Sequence, residues 1–205
     1  RPNAGDAESA LYVSDLENAA LTYEKKHELN VGAAFGFFDN RINIEADWYK
    51  RNNYDLIGPV TTQGIGGQVT KLGNVASMQS SGVELTLSTV NINKKNFKWT
   101  TDFIYSHAEN RVTSLENQQR VIDLVAGTGF ALEGYPVRSV FSIPYRGLNS
   151  EGLPTFLDQS GKVTTTGIYF QERDNIGFLE YSGTADPTDF GSFGNTFSFY
   201  GFKFN

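Results

Sequence analysis

The sequence predicts an all-β, antiparallel fold, and three observations carry that expectation. Two adjoining segments alternate apolar and polar residues with a period of two. Aromatic residues and glycine are abundant, with 16 Phe, 10 Tyr and 21 Gly in 205 residues, a composition that favours strands and turns. The longest run of apolar residues and glycine, 31–38, falls far short of the roughly 20 residues a membrane helix needs. That last limit does not bear on strands, which cross a membrane on alternation alone.

The clearest element is the stretch 28–51, ELNVGAAFGFFDNRINIEADWYKR. Leu29, Val31, Ala33, Phe35 and Phe37 form one apolar set, and small or polar residues lie between them. After Asp39-Asn40 the alternation resumes, with Ile42, Ile44, Ala46 and Trp48 apolar and Asn43, Glu45 and Asp47 between them. A two-residue Asp-Asn turn, whose residues tolerate positive φ, predicts a hairpin. Its register pairs Phe38 with Arg41, Phe35 with Ile44 and Val31 with Trp48, placing every apolar residue on one face. About nine residues per strand is the length a tilted strand needs to cross an outer membrane.

The other elements follow in order. Residues 1–20 read as loop, with a helical turn at 6–12. Strands are expected near 21–38, 41–54, 82–90, 97–107 and 194–205, the last rich in aromatics and with no partner after it. Long loops are expected at 55–81 and 107–193, the second holding a short helix within 115–125. Glycines 64, 66 and 67 lack phosphate-loop spacing and read as flexible loop. Val83, Leu85 and Leu87 alternate with Glu84 and Thr86. Phe97, Trp99, Phe103 and Tyr105 alternate with Lys98, Thr100 and Asp102. The turn between these two runs is too long to fix their register, and one choice sets Glu84 against Asp102, a like-charge pair.

Short turns at 39–40 and 91–96 alternate with the two long loops, so the long connections gather at one end. That pattern predicts an antiparallel segment of a large transmembrane β-barrel with short periplasmic turns and long extracellular loops. Val31, Phe35, Ile44, Trp48, Trp99 and Phe103 would then face the membrane, and Asn43, Glu45, Asp47, Glu84, Thr100 and Asp102 the lumen. Trp48, Tyr49, Tyr54, Trp99 and Tyr105 lie toward strand ends, where barrels carry aromatic girdles. The periodicity also fits a secreted, soluble β-sandwich that binds carbohydrate. There the same apolar face would be buried against a second sheet.

Chemistry-bearing patterns are sparse. The chain has no cysteine and a formal charge of −6, which excludes thiolate chemistry and argues against a nucleic-acid partner. His27 and His107 lack a spaced second ligand for zinc. Asp158-Gln-Ser-Gly161 reads as a turn, since a calcium loop needs further acids. No catalytic, metal or cofactor site is expected, and the chain is not expected to be an enzyme. The irregular stretch 107–193 is the expected functional region, because it is far longer than a connection requires. Binding candidates there and in the preceding loop are Tyr54, Tyr135, Phe141, Tyr145, Arg146 and Phe156, of the types that dominate interfaces.

Five segments, in order, resemble the C-terminal half of SusC/RagA-type TonB-linked outer-membrane transporters. They are LTYEKKHELNVGAAFGFFDNRINIEADWYKR, GNVASMQSSGVELTL, NFKWTTDFIYSHAENRVTSL, EGYPVRSVFSIPYRGLNSEGLPTFLDQSG and DPTDFGSFGNTFSFYGFKF. Together they cover most of residues 21–205. The chain departs from the family pattern at 75–77, at Ser80-Ser81 and at Ser192, in loop detail. The resemblance implies a many-stranded barrel in the outer membrane of a Gram-negative bacterium, in contact with lipid, with plug domain and closing strands outside this stretch. It also implies a SusD-like surface lipoprotein as lid, TonB as the energy source through the N-terminal part, and glycan or peptide cargo.

Overall fold

A computed structural model describes residues 17–61, 64 and 70–205. The helical turn expected at 6–12 and most of the glycine-rich stretch 64–71 lie outside the described residues. The elements in chain order are β1 (Lys25–Phe37), β2 (Ile42–Thr61), β3 (Thr70–Lys94), β4 (Phe97–Leu115), α1 (Val121–Leu124), β5 (Ser139–Ser142), β6 (Tyr145–Leu148), β7 (Pro154–Leu157), β8 (Val163–Thr164), β9 (Glu180–Thr184), β10 (Asp189–Phe199) and β11 (Phe202–Phe204). Among the described residues they form a six-stranded sheet ordered β1-β2-β3-β4-β10-β11 and two small sheets, β5-β9 and β6-β7-β8. Every pairing in them is antiparallel.

The first hairpin has the expected strand register, with Phe35 opposite Ile44 and Val31 opposite Trp48. Its turn differs. The loop is four residues, closed by Arg41 N–H donating to the Phe37 carbonyl at 3.0 Å, so Phe38 and Arg41 do not pair. Phe38, Asp39 and Asn40 have φ of 54, 56 and 59°. Positive φ suits Asp and Asn but is uncommon for a bulky residue such as Phe.

The wall strands outrun their expected ends. Residues 55–81 are not one long loop: β2 continues to Thr61 and β3 starts at Thr70. Gly58-Pro59 falls within the loop expected at 55–81, yet it lies in β2, and β1 stops pairing at Tyr54. Beyond that point β2 is an edge strand, where proline is tolerated. Register shifts at 53–57 absorb extra residues, with Asp55 at φ 55°. Residues 107–193 are likewise not irregular throughout. β4 runs on to Leu115, β10 begins at Asp189, and the two small sheets fill the interval. The expected helix shrinks to the single turn α1. The expected last strand is broken by a tight turn, Tyr200 at φ 45° and Gly201 at φ 91°, which folds β11 back on β10.

Glu84 pairs with Asp47 and Ser106 rather than Asp102. Asp102 instead meets Ser88, whose hydroxyl donates to its carboxylate at 2.7 Å. The short turns at 38–41, 95–96 and 200–201 all fall at one end of the sheet, and the end of β2 at Thr61, the start of β3 at Thr70 and the 116–188 connection at the other.

The interval between β4 and β10 folds into a cap with its own small core. Val121, Leu124 and Ser139 are fully buried, and Phe141 nearly so. Phe141 packs against Tyr135 and Tyr181, ring centroids 5.0 and 5.6 Å away. The cap grips the wall through backbone bonds: Val112 N–H to Tyr135 O and Gly134 N–H to Val112 O, each 2.9 Å, and Ala108 N–H to Thr188 O at 2.8 Å. The Asn110 side chain accepts Val137 N–H at 2.8 Å.

Candidate functional site

The wall presents two chemically distinct faces, and the register shows how the strands align them. On the apolar face Phe35, Ile44, Leu87, Phe103 and Phe193 form one continuous cross-strand row. The next row is Ala33, Ala46, Leu85, Tyr105 and Gly191, and the next is Val31, Trp48, Val83, His107 and Asp189. Beyond it the face is polar on three strands, at Lys50, Ser81 and Glu109, then Asn52, Gln79 and Arg111, β4 having turned polar one row earlier at His107. The apolar band is exposed: Val31 is 57%, Phe35 54% and Phe193 69% accessible. Trp99 belongs to this face, stacked on Phe197 at 5.6 Å. Its indole N–H donates to Asn195 Oδ1 at 2.9 Å.

The band's margin toward the cap holds a cluster that sequence reading missed. Asp189 Oδ1 accepts the Tyr105 hydroxyl at 2.7 Å and lies 2.8 Å from His107 Nδ1, while Oδ2 accepts the Thr188 hydroxyl at 2.9 Å. Asp189 is 82 residues from His107, so no local pattern could have joined them. Only its place just before the last aromatic run hinted at a strand entry.

The opposite face carries Asn43, Glu45, Asp47, Glu84, Thr100 and Asp102, all of the polar set read from the sequence. Their neighbours are small. Asp47 lies over Gly32, where an added Cβ would come 2.2 Å from its Oδ1. The Tyr49 hydroxyl lies over Gly82 at the same kind of distance, 2.6 Å, and the Arg51 guanidinium stacks on the Tyr49 ring at 4.2 Å. Side chains laid flat over glycines keep this face low. Asp47 and Glu84 face each other directly, a like-charge pairing that a wet surface tolerates better than a dry one.

The loop candidates separate into buried and exposed residues. Phe141 is only 5% accessible, so it is a packing residue of the cap and not a surface contact, and half-buried Tyr135 packs beside it. A small loop domain needs some aromatic core, and these two supply it. Tyr145 and Arg146 are exposed on β6, with Tyr145 edge-on to Phe156 of β7 at 6.0 Å. Tyr54 projects beside His27, ring centroids 5.5 Å apart. A cleft of about 750 Å³ opens where the cap meets the wall strands, lined by Ser80, Asn110, Arg111, Tyr181, Asp186 and Thr188 among others.

Hydrogen bonding to carboxylates pins the cap's turns. Asp123 is held below its ordinary pKa by the Arg120 side chain, which approaches to 2.8 Å. Asp158 is lowered by the Ser160 hydroxyl and by the Ser160 and Lys162 backbone N–H groups, all on one oxygen. The site read as a turn therefore closes on itself.

No family model matches the chain. Its curated relatives are receptors by name. It is 26% identical over 195 residues to TonB-dependent receptor P3 of Formosa agariphila, covering 88% of this chain and 19% of that protein. It is 31% identical over 102 residues to TonB-dependent receptor SusC of Bacteroides thetaiotaomicron, covering 48% of this chain and 10% of that one. Among solved structures, the RagAB peptide transporter superposes with a TM-score of 0.76 at 25% identity, covering 98% of this chain and 22% of that chain. In sequence and in fold this chain is similar to SusC/RagA-type barrel segments. Its fold is the all-β antiparallel barrel wall of that family, and it spans about a fifth of the length of the first of these relatives. A second RagAB structure, the importer in its open-open state, shares the fold at 23% identity and a TM-score of 0.76.

Proposed function

We propose that this SusC/RagA-type segment forms part of the wall and outer cap of a TonB-dependent barrel. That barrel would import nutrient oligomers, glycan or peptide, across the outer membrane of a Gram-negative bacterium. The apolar band is the lipid contact and the low, polar face lines the lumen. The cap lies outside the cell and meets a SusD-like surface lipoprotein or the cargo. TonB acts through parts of the protein beyond this segment, and the segment's own work is containment and capture, not catalysis.

One observation carries the reading: the apolar face ends within one register row on β2, β3 and β4, at Trp48, Val83 and Tyr105. A membrane boundary imposes such a shared limit on neighbouring strands. Strand length agrees with it. β2 has 20 residues and β3 has 25, whereas crossing takes about 9–11. The short turns end flush, so the excess projects on the side of the cap.

The test is deletion of residues 147–161 from the full-length receptor, with lid retention and cargo uptake measured separately. Loss of either, with the barrel still assembled, supports a capturing or docking cap. Unchanged retention and uptake would reduce this part of the cap to a passive cover.

A further inference from the structure

The turn end of the wall carries a feature that transport does not use. Phe38 adopts a φ of 54° and is 75% exposed. A bulky residue in the left-handed region is strained, and here the ring's exposure shows that packing within the described residues does not compensate for it. Phe38 forms one side of a groove of about 300 Å³, with Arg41, Ile42, Thr89, Val90 and Asn91 completing it. Ile42 and Thr89 pair across the apolar face, so the groove is continuous with that band.

The groove has a cationic end. Arg41 Nη2 donates to Asn91 O at 2.9 Å and Val90 O at 3.2 Å, and Nε to Val90 O at 3.3 Å. These bonds fix the guanidinium but leave its charge uncompensated. Among the described residues no carboxylate forms an ion pair with Arg41, nor with Lys94 or Lys95 of the next turn. The first two turns of this end thus gather three cations, Arg41, Lys94 and Lys95, against one acid, Asp39, in a chain whose overall charge is −6, while Lys98 and Lys203 align through Ser198 on the opposite face. Lys94 pairs with Phe97 and so shares the apolar side with Trp99. Asn91, the extra residue of a bulge in β3, is locked in place by its amide donating to Thr101 Oγ1 at 2.7 Å.

We propose that this groove binds an anionic glycerophospholipid of the leaflet at the turn side, its phosphate on Arg41 with Lys94 adjacent and an acyl chain along Phe38 and Ile42. The proposal rests on the barrel reading, because only that reading puts the apolar band in lipid. A guanidinium held by backbone carbonyls keeps its outer N–H groups for phosphate oxygens. An exposed aromatic at that level has an apolar medium to enter.

The test is native mass spectrometry of the full-length receptor in detergent, titrated with phosphatidylglycerol and, separately, phosphatidylethanolamine. Wild type should retain phosphatidylglycerol preferentially. Arg41→Gln, and independently the pair Lys94→Gln and Lys95→Gln, should each weaken retention by about fivefold per cation removed. Phe38→Ala should weaken both lipids alike, and Lys71→Gln at the far end neither. Equal retention by Arg41→Gln, the lysine pair and wild type would overturn the proposal, as would full displacement by inorganic phosphate, which marks a simple anion site. Heat-dependent gel mobility separates the two levels of failure. A wild type without the shift of a folded barrel defeats the barrel reading and the lipid site together. A folded barrel with unselective binding defeats the lipid site alone.

Discussion

The wall and the cap of this chain are both β structure, yet they are held by different physics. The wall has long strands whose register is regular between a few bulges. Its apolar band is outside, its buried apolar residues, Val75 and Val112, lie in the arms toward the cap, and its polar face rests on glycines. The cap has strands of two to five residues around a few buried side chains, and carboxylates pin its turns. Stability in the wall should therefore depend on which face a residue occupies. In the cap it should depend on burial and local hydrogen bonds, as in a small soluble domain.

The largest expected effect lies in the cap. Leu124 is fully buried, so Leu124→Ala should cost about 2–5 kcal/mol of local stability. Hydrogen exchange in the full-length receptor should speed up across 116–188 and stay unchanged in 25–61. Loss of protection in both regions would mean that wall and cap unfold as one unit.

In the wall, Ile44→Arg should cost about 2–4 kcal/mol, the penalty for a charge at mid-membrane on the lipid face. Asn43→Ser, one residue away on the other face, should stay within about 0.5 kcal/mol. Urea unfolding from lipid vesicles measures both. Equal costs would erase the distinction between the faces.

A smaller effect is expected at Gly82. An added Cβ would meet His107 O and the Tyr49 hydroxyl, each at 2.6 Å. Gly82→Ala should then cost about 1–3 kcal/mol through overpacking, and pairing it with Tyr49→Ser should recover only the side-chain part of that. Full recovery would show that the backbone contact with His107 is unimportant.

The smallest effect is the cap's response to acid. Asp123, Asp158 and Glu172 all have pKa values lowered in the folded state, by the Arg120 side chain, the Ser160 hydroxyl and the Asp174 backbone N–H respectively. A carboxylate lowered on folding stabilises above its unfolded value and loses that contribution as pH falls toward the folded one. The cap should therefore loosen as pH drops below about 4. Proteolysis within 116–188 by an acid-active protease measures it, and Asp123→Asn should flatten part of the response. A cap that tightens in acid would reverse the sign assigned to these turns.

How much of this was legible in the sequence differs between the two regions. In the first hairpin, side-chain alternation fixes the face and the turn fixes the phase, so Phe35 opposite Ile44 could be read directly. The turn's left-handed Phe38 could not, because the apolar pattern alone asks only for a reversal. The arms of β2 and β3 were hidden by Gly58-Pro59 and Gly73, which signal turns unless the strand is known to be an edge. The five family-like segments were legible as well, and with them the barrel class.

Tertiary structure decided the rest. Phe141 looks the same in sequence whether it faces a partner or a core, and only the folding of 130–142 against 180–184 buries it. The Tyr105–His107–Asp189 cluster needs β10 to return beside β4 after a long excursion. Local periodicity constrains a residue's face because neighbouring backbone geometry repeats. Which distant segment covers that face is set by chain closure over scores of residues, and no local pattern encodes it.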